Sequence, residues 1–189
     1  MSFEEVRKRI IELETRNLVI SGGEPLLQQT DLIALIASLG GVVVSDDLKG
    51  TEGVLKVNFK GLERCEVETN GTIFFLPQFE RLIDGINCSP KLESSGNPKQ
   101  LRYKPDVLRQ YQQTGKAIFK FVVSTEADLE EVEQIVAECG LSDVWLMPQG
   151  RTRDEQIKWQ AKVSQLAVDR GWNFSPRAHI LMHDNVRGF

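Results

Sequence analysis

The stretch from Leu18 to Gln28 reads LVISGGEPLLQ. A branched apolar run ends in Ser21, Gly22, Gly23, Glu24 and Pro25, and a new apolar pattern opens at Leu26. This order predicts a strand, a sharp turn and a helix, with Pro25 suited to the first helical turn. A strand feeding straight into a helix is the repeating unit of α/β architecture, so this stretch restricts the fold more than any other. The paired glycines let the backbone come close to a ligand, and peptide carbonyls together with Glu24 can face a cationic group. Taken alone, Gly-Gly is more often an ordinary strand-to-helix connection.

The rest of the chain repeats the alternation. Residues 3 to 14 place Phe3, Val6 and Ile10 or Ile11 on successive turns, with Glu4 and Glu5 early and Arg7, Lys8 and Arg9 later, as in an amphipathic helix. A helix is expected from about Leu26 to Leu39, closed by Gly40 and Gly41. Residues 42 to 61 read as strand, turn and half-exposed strand, a hairpin insertion or an edge of the sheet. Cys65 to Thr72, CEVETNGT, is a strand ending in polar residues, and Gly85 to Lys91, GINCSPK, repeats that design. Residues 93 to 99 are a loop by composition, and a short helix follows from Pro105 to Gln113. Ala117 to Ser124 is a buried strand interrupted by Lys120, which lies on a ligand-facing side or at the sheet margin. A helix from Glu126 to Cys139 ending at Gly140, a strand from Val144, a helix from Arg153 to Arg170 and an extended tail over residues 175 to 189 complete the chain.

These elements predict α/β architecture of mostly parallel strands with outer helices, in one domain spanning residues 1–189. Glu24, the Glu68 to Thr72 cluster, the Ser89 to Lys91 cluster and Gln149 all follow strands. The carboxyl ends of parallel strands share a rim, so these loops are expected to meet at one pocket. Chemically they offer carboxylates, amides, hydroxyls and the Lys91 cation.

A chain of 189 residues, 41% hydrophobic and 26% charged, suffices for one substantial core and describes a soluble globular protein. The formal net charge of −4 gives no electrostatic footprint for nucleic acid or an anionic membrane, and no apolar run is long enough to span a bilayer. Cys65, Cys88 and Cys139 are odd in number and far apart, which argues against a disulfide framework or a local metal knuckle and for a reducing, cytoplasmic setting.

Taken together and in order, ISGGEPLLQ, VETNGT, SPK and the terminal HILMHDNVRG closely resemble the 7-carboxy-7-deazaguanine synthase family of radical S-adenosylmethionine enzymes, over nearly the whole chain. The resemblance implies a reduced, partial β/α barrel. It also implies the conversion of 6-carboxy-5,6,7,8-tetrahydropterin to 7-carboxy-7-deazaguanine with loss of ammonia, a carbon-nitrogen lyase reaction on the way to deazapurines such as queuosine. In that family a reduced four-iron four-sulfur cluster cleaves S-adenosylmethionine, magnesium assists, and a homodimer is common. Carried onto this chain, Gly22, Gly23 and Glu24 would hold the methionine amino group, and Ser89 with Lys91 the carboxylate or ribose side. Glu68, Thr69, Asn70, Gly71 and Thr72 would lie against cofactor and substrate, Gln149 would reach a pterin edge, and the tail from Arg177 and His179 would fold over the pocket.

The resemblance also has two departures. His183 and Asp184 stand where a Trp-Gly pair is common. The family's first strand and its loop of three closely spaced cysteines have no counterpart here, so no metal ligand is assigned, no cluster is expected on this chain, and the chain alone is expected not to perform the radical step. The first reading is a synthase shortened at its amino terminus. The alternative is a cluster-free module that binds S-adenosylmethionine or a pterin.

Overall fold

The structure is a computed structural model, and it describes residues 2–39, 62–184 and 186. The expected caps at Gly40 and Gly41, the hairpin at residues 42 to 61, and Asn185, Arg187, Gly188 and Phe189 of the tail lie outside the described residues.

In chain order the elements are α1 (Phe3–Glu12), β1 (Asn17–Ile20), a 3-10 turn (Pro25–Gln28), α2 (Gln29–Ser38), β2 (Arg64–Thr69), α3 (Pro77–Glu80) and β3 (Gly85–Cys88). These are followed by α4 (Lys99–Arg102), α5 (Pro105–Gln113), β4 (Ala117–Val123), α6 (Glu126–Cys139), β5 (Val144–Pro148), α7 (Arg153–Asp169), β6 (Asn173–Phe174) and α8 (Ala178–His183). The strands follow one another in the order β1-β2-β3-β4-β5-β6. β1 pairs in parallel with β2, β4 with β5, and β5 with β6. Helices between successive parallel strands are what the crossover connection requires, which accounts for the alternation read from the sequence.

The chain divides into two compact units, one of the described residues up to Glu68 with Ile73–Ile86, the other of Thr69–Thr72 with the described residues from Asn87 onward. In the first unit, Ile36 of α2, Cys65 and Val67 of β2 and Phe79 of α3 are fully buried, and Phe79 stacks on Phe75 with ring centroids 5.8 Å apart. Gln29 is buried as well, and its carboxamide is used twice. It donates to the Phe74 carbonyl at 3.0 Å and accepts from the Leu76 N–H at 2.8 Å, tying α2 to the segment before α3.

In the second unit β4 and β5 alternate strictly. Phe119, Phe121 and Val123, with Val144, Leu146 and Pro148, are buried on the face that meets the outer helices, where Leu129, Val132 and Ile135 of α6 and Val163 and Ala167 of α7 are also buried. Each such aromatic or aliphatic side chain contributes about 1.5–3 kcal/mol through burial. α6 begins with a capping box from Thr125 and Asp128 and ends at Gly140 in the left-handed conformation, φ +67°. α7 begins with the same device from Thr152 and Glu155.

Two expectations are revised. The helix after the glycine pair starts as a 3-10 turn, because Glu24 caps Leu26 directly and Pro25 occupies its first position. The tail is not simply extended. After β6 it forms α8, whose Ile180 is buried and whose last carbonyls, Leu181 and Met182, accept from the Arg153 guanidinium at 2.8 and 3.1 Å.

Candidate functional site

In the first unit, Ser21, Gly22 and Gly23 form an exposed loop directly after β1. A Cβ built on either glycine would meet nothing within 4 Å, so packing does not demand glycine there, and the peptide groups are open to an incoming group. Glu24 is half-buried and its carboxylate accepts from the Leu26 N–H at 3.1 Å, which fixes the end of the loop. Ser21 donates its hydroxyl to Glu68 at 2.8 Å and so ties the glycine loop to the solvent-facing side of β2. Glu24 and Glu68 give this unit two carboxylates beside open backbone, the acceptor set that suits an ammonium group. S-adenosylmethionine carries such an ammonium, so the residues fit that part of it.

In the second unit the polar turn after β2 is rigid. Thr69 is buried, its hydroxyl accepts from the Gly71 N–H at 3.2 Å, and its carbonyl accepts from the Ser89 N–H at 2.8 Å. The Asn70 carboxamide oxygen takes both the N–H and the hydroxyl of Thr72, at 3.1 and 2.6 Å. Gly71 has φ +77°, and a Cβ there would meet Cys88 Sγ at 2.7 Å and Leu108 Cδ2 at 2.8 Å, so both backbone and space require glycine. Much of this motif therefore builds the turn, and the turn abuts the Ser89 loop. Ser89 is half-buried, Pro90 buried and Lys91 exposed. The Lys91 carbonyl accepts from Arg102 at 3.0 Å, while Arg102 pairs with Glu131 at 2.5 Å, and Glu131 accepts from the Glu93 N–H at 2.7 Å.

Gln149, Arg177 and His179, singled out from widely separated parts of the sequence, line one open hollow of about 480 Å³ together with Arg151, Ile180, Asp184 and Val186. Arg177 is half-buried, donates to the Gly150 carbonyl at 3.0 Å, and is pushed below its usual pKa by burial. Gln156, fully buried on α7, donates to the carbonyls of Pro148 and Gly150 at 3.0 and 3.2 Å and holds the same turn from beneath. Sequence reasoning missed Arg151 and Gln156. Arg151 only becomes a site candidate once α8 is placed beside it. Gln156 does leave a trace, a polar residue in register with Val163 and Ala167 on an otherwise buried helix face.

Lys120 lies in β4, between β3 and β5 in the strand order, and not at the sheet margin. Its Nζ donates to Asn87 Oδ1 at 2.7 Å.

The cysteines do not fit an iron-sulfur cluster. Cys65 and Cys88 are fully buried and Cys139 is 6% exposed, each in its own element or at its end. Burial, with Asp84 and Glu66 nearby, pushes the Cys65 thiol up to about 12, and burial raises Cys139 too, whereas a cluster ligand must be a thiolate. Among the described residues no three His, Cys, Asp or Glu side chains are grouped to hold a metal ion. No helix of the described residues is long and apolar enough to cross a membrane.

No family model matches the chain. It is 31% identical over 191 residues to the 7-carboxy-7-deazaguanine synthase of Pyrobaculum aerophilum, a match covering 100% of this chain and 75% of that protein. The proteins of the same name from Hyperthermus butylicus and Halobacterium salinarum are 29% and 27% identical, over 96% and 98% of this chain and 72% of each of theirs. Among solved structures, Streptococcus suis SuiB aligns with a TM-score of 0.58 at 12% identity over 94% of this chain, and SuiB bound to S-adenosylmethionine aligns with 0.57 at the same identity. The chain spans less than half the length of either, 43% and 44%. At that identity the likeness speaks to the fold alone, and it bears out the α/β class expected of a partial β/α barrel.

Proposed function

Because this chain belongs to the 7-carboxy-7-deazaguanine synthase family, we propose that it binds S-adenosylmethionine and 6-carboxy-5,6,7,8-tetrahydropterin and serves the ring contraction to 7-carboxy-7-deazaguanine. The observation that carries this reading is the match to relatives of that name along the whole chain. In this assignment Gly22, Gly23 and Glu24 receive the methionine ammonium, through open peptide carbonyls and a carboxylate held in place by its bond to Leu26. Ser89 and Lys91 receive its carboxylate or ribose side. S-adenosylmethionine bound there would supply, on one-electron reduction by a source outside the described residues, the 5'-deoxyadenosyl group that takes a hydrogen from the substrate.

The pterin is assigned to Glu68, Thr69, Asn70, Gly71, Thr72, Gln149, Arg177 and His179. Arg177 brings a positive charge suited to the pterin carboxylate, His179 an imidazole ring, and Gln149 an amide able to both donate and accept along the pterin edge. Within the second unit, the turn from Thr69 to Thr72 abuts the Ser89 loop through the Ser89 N–H bond to the Thr69 carbonyl. The same reading carries a lyase class, magnesium, a homodimer and a cytoplasmic setting in deazapurine synthesis.

The buried, dispersed cysteines favour a second reading, a cluster-free module that binds S-adenosylmethionine or a pterin and has no radical activity. One pair of measurements separates the two. Calorimetric titration with S-adenosylmethionine and with the carboxylated pterin is expected to show saturable binding, and absence of both would sink the proposal. Anaerobic incubation with iron, sulfide, reductant, both ligands and an amino-terminal three-cysteine segment supplied from a relative then decides between them, since product formation supports the synthase and binding without product supports the module.

A further inference from the structure

Strand parity in the second unit exposes a residue that the motif comparison passes over. On β4, Phe119, Phe121 and Val123 face the helices, while Ile118, Lys120 and Val122 are half-buried on the opposite face. The parallel register sets Lys120 beside Trp145 and Val122 beside Met147, and both of these belong to that opposite face of β5. The parity continues past the strand ends. The Gln149 N–H donates to the Val123 carbonyl at 2.9 Å and the Ser89 N–H to the Thr69 carbonyl at 2.8 Å, so both residues keep the ladder running. Gln149 follows Met147 by two residues, and Ser89 follows Asn87 by two. Asn87, Ser89, Lys120 and Gln149 therefore share one face of the sheet, Ser89 one same-face position (about 6.6 Å) beyond Asn87 and Gln149 two (about 13 Å) beyond Trp145, the register partner of Lys120.

We propose that Lys120, anchored by Asn87 on this face, is a ligand-binding residue that takes a carboxylate of the small-molecule ligand. The inference deepens the reading above and rests on it. A half-buried ammonium is costly without a counter-charge, and Lys120 has no carboxylate within 4.0 Å among the described residues. Its recorded partner is the neutral Asn87 carboxamide oxygen, which satisfies one of its three donors and fixes its direction. A residue required only for packing would be apolar, as Ile118 and Val122 are in the positions before and after it on the same face. Ser89 lies one same-face position beyond Asn87, and Gln149 two beyond Trp145, both toward the carboxyl ends, where the ligand is assigned. Both the methionine end of S-adenosylmethionine and the carboxylated pterin present the matching group.

The test is calorimetric titration of the full chain and its Lys120→Met, Lys120→Gln and Lys120→Arg variants, with melting curves to show that each is folded. The ligands are S-adenosylmethionine, decarboxylated S-adenosylmethionine, the 6-carboxylated tetrahydropterin and its 6-methyl analogue. Loss of a charge-assisted bond predicts binding of one carboxylated ligand roughly 10- to 100-fold weaker in Lys120→Met and Lys120→Gln, with part recovered in Lys120→Arg. The carboxylate-free analogue of that ligand should be unaffected, and the ligand pair that responds identifies the source of the carboxylate. Unchanged binding of every ligand, or equal weakening of a ligand and its carboxylate-free analogue, overturns the inference while the family reading stands. Failure of the unaltered chain to bind any of the four overturns both.

Discussion

At the scale of single residues, the structure separates side chains that build from those that are left for chemistry. Asp128 is a builder. It is 3% exposed, and its carboxylate accepts from the Ser124 N–H and hydroxyl, both at 2.7 Å, and from the Thr125 N–H at 3.0 Å. Burial alone would raise its pKa, but the hydroxyls of Ser94 and Ser124 and the two backbone donors outweigh that and hold it below the usual 3.8. A folded-state pKa below the unfolded one means stability that is complete above the unfolded value and lost as pH falls through the folded value. Asp128→Asn should therefore cost about 1–3 kcal/mol in urea unfolding at pH 6, and the gap to the unaltered protein should narrow below about pH 4. A gap that stays constant down to pH 2 would show that the carboxylate's charge is not what the helix start uses.

At the scale of elements, long periodic segments were legible and short ones were not. α6 runs from Glu126 to Cys139 and ends at Gly140, as its apolar spacing and closing glycine predict. β4 ends within one residue of its expected limit. α8 escaped because its six residues carry too little periodicity to decide between helix and extended chain, and its carbonyls are capped by Arg153 from a distant part of the sequence. The site follows the same rule. That Ser89 and Gln149 come just after strands could be read directly, whereas the support under the Lys91 loop could not, because it joins residues 29 positions apart. Arg102 and Glu131 form an ion pair of 2.5 Å with side chains 4% and 20% exposed, one holding the Lys91 carbonyl and the other the Glu93 N–H. Removing one partner of such a pair strands the other, so Arg102→Met should cost about 3 kcal/mol. The double variant Arg102→Met, Glu131→Met should be more stable than the sum of the single losses by about 2 kcal/mol in denaturant unfolding. Strict additivity would mean that the two side chains meet without stabilising the loop.

At the scale of the molecule, the question that the family leaves open is what the three thiols are for. Cluster ligands in a protein are accessible to assembly and bind as thiolates, and their thiol pKa is correspondingly low. Here Cys65 of β2 and Cys88 of β3 point into packed surroundings, and Cys139 closes α6 against the Tyr103 hydroxyl at 3.7 Å. With Cys65 pushed up to about 12 and Cys139 raised as well, the native chain should behave as if it had no reactive thiol. Dithiobis-nitrobenzoate at pH 8 should label the folded protein only at the rate of global unfolding, and all three cysteines promptly in guanidinium. Anaerobic reconstitution with iron and sulfide should leave the visible spectrum of the chain unchanged. Rapid native labelling of one thiol would mean that its element opens well below the global unfolding free energy. An iron-sulfur absorbance that disappears in a Cys65→Ala or Cys88→Ala variant would overturn the packing role, because it would require thiols in different strands to turn out of the core toward one metal site.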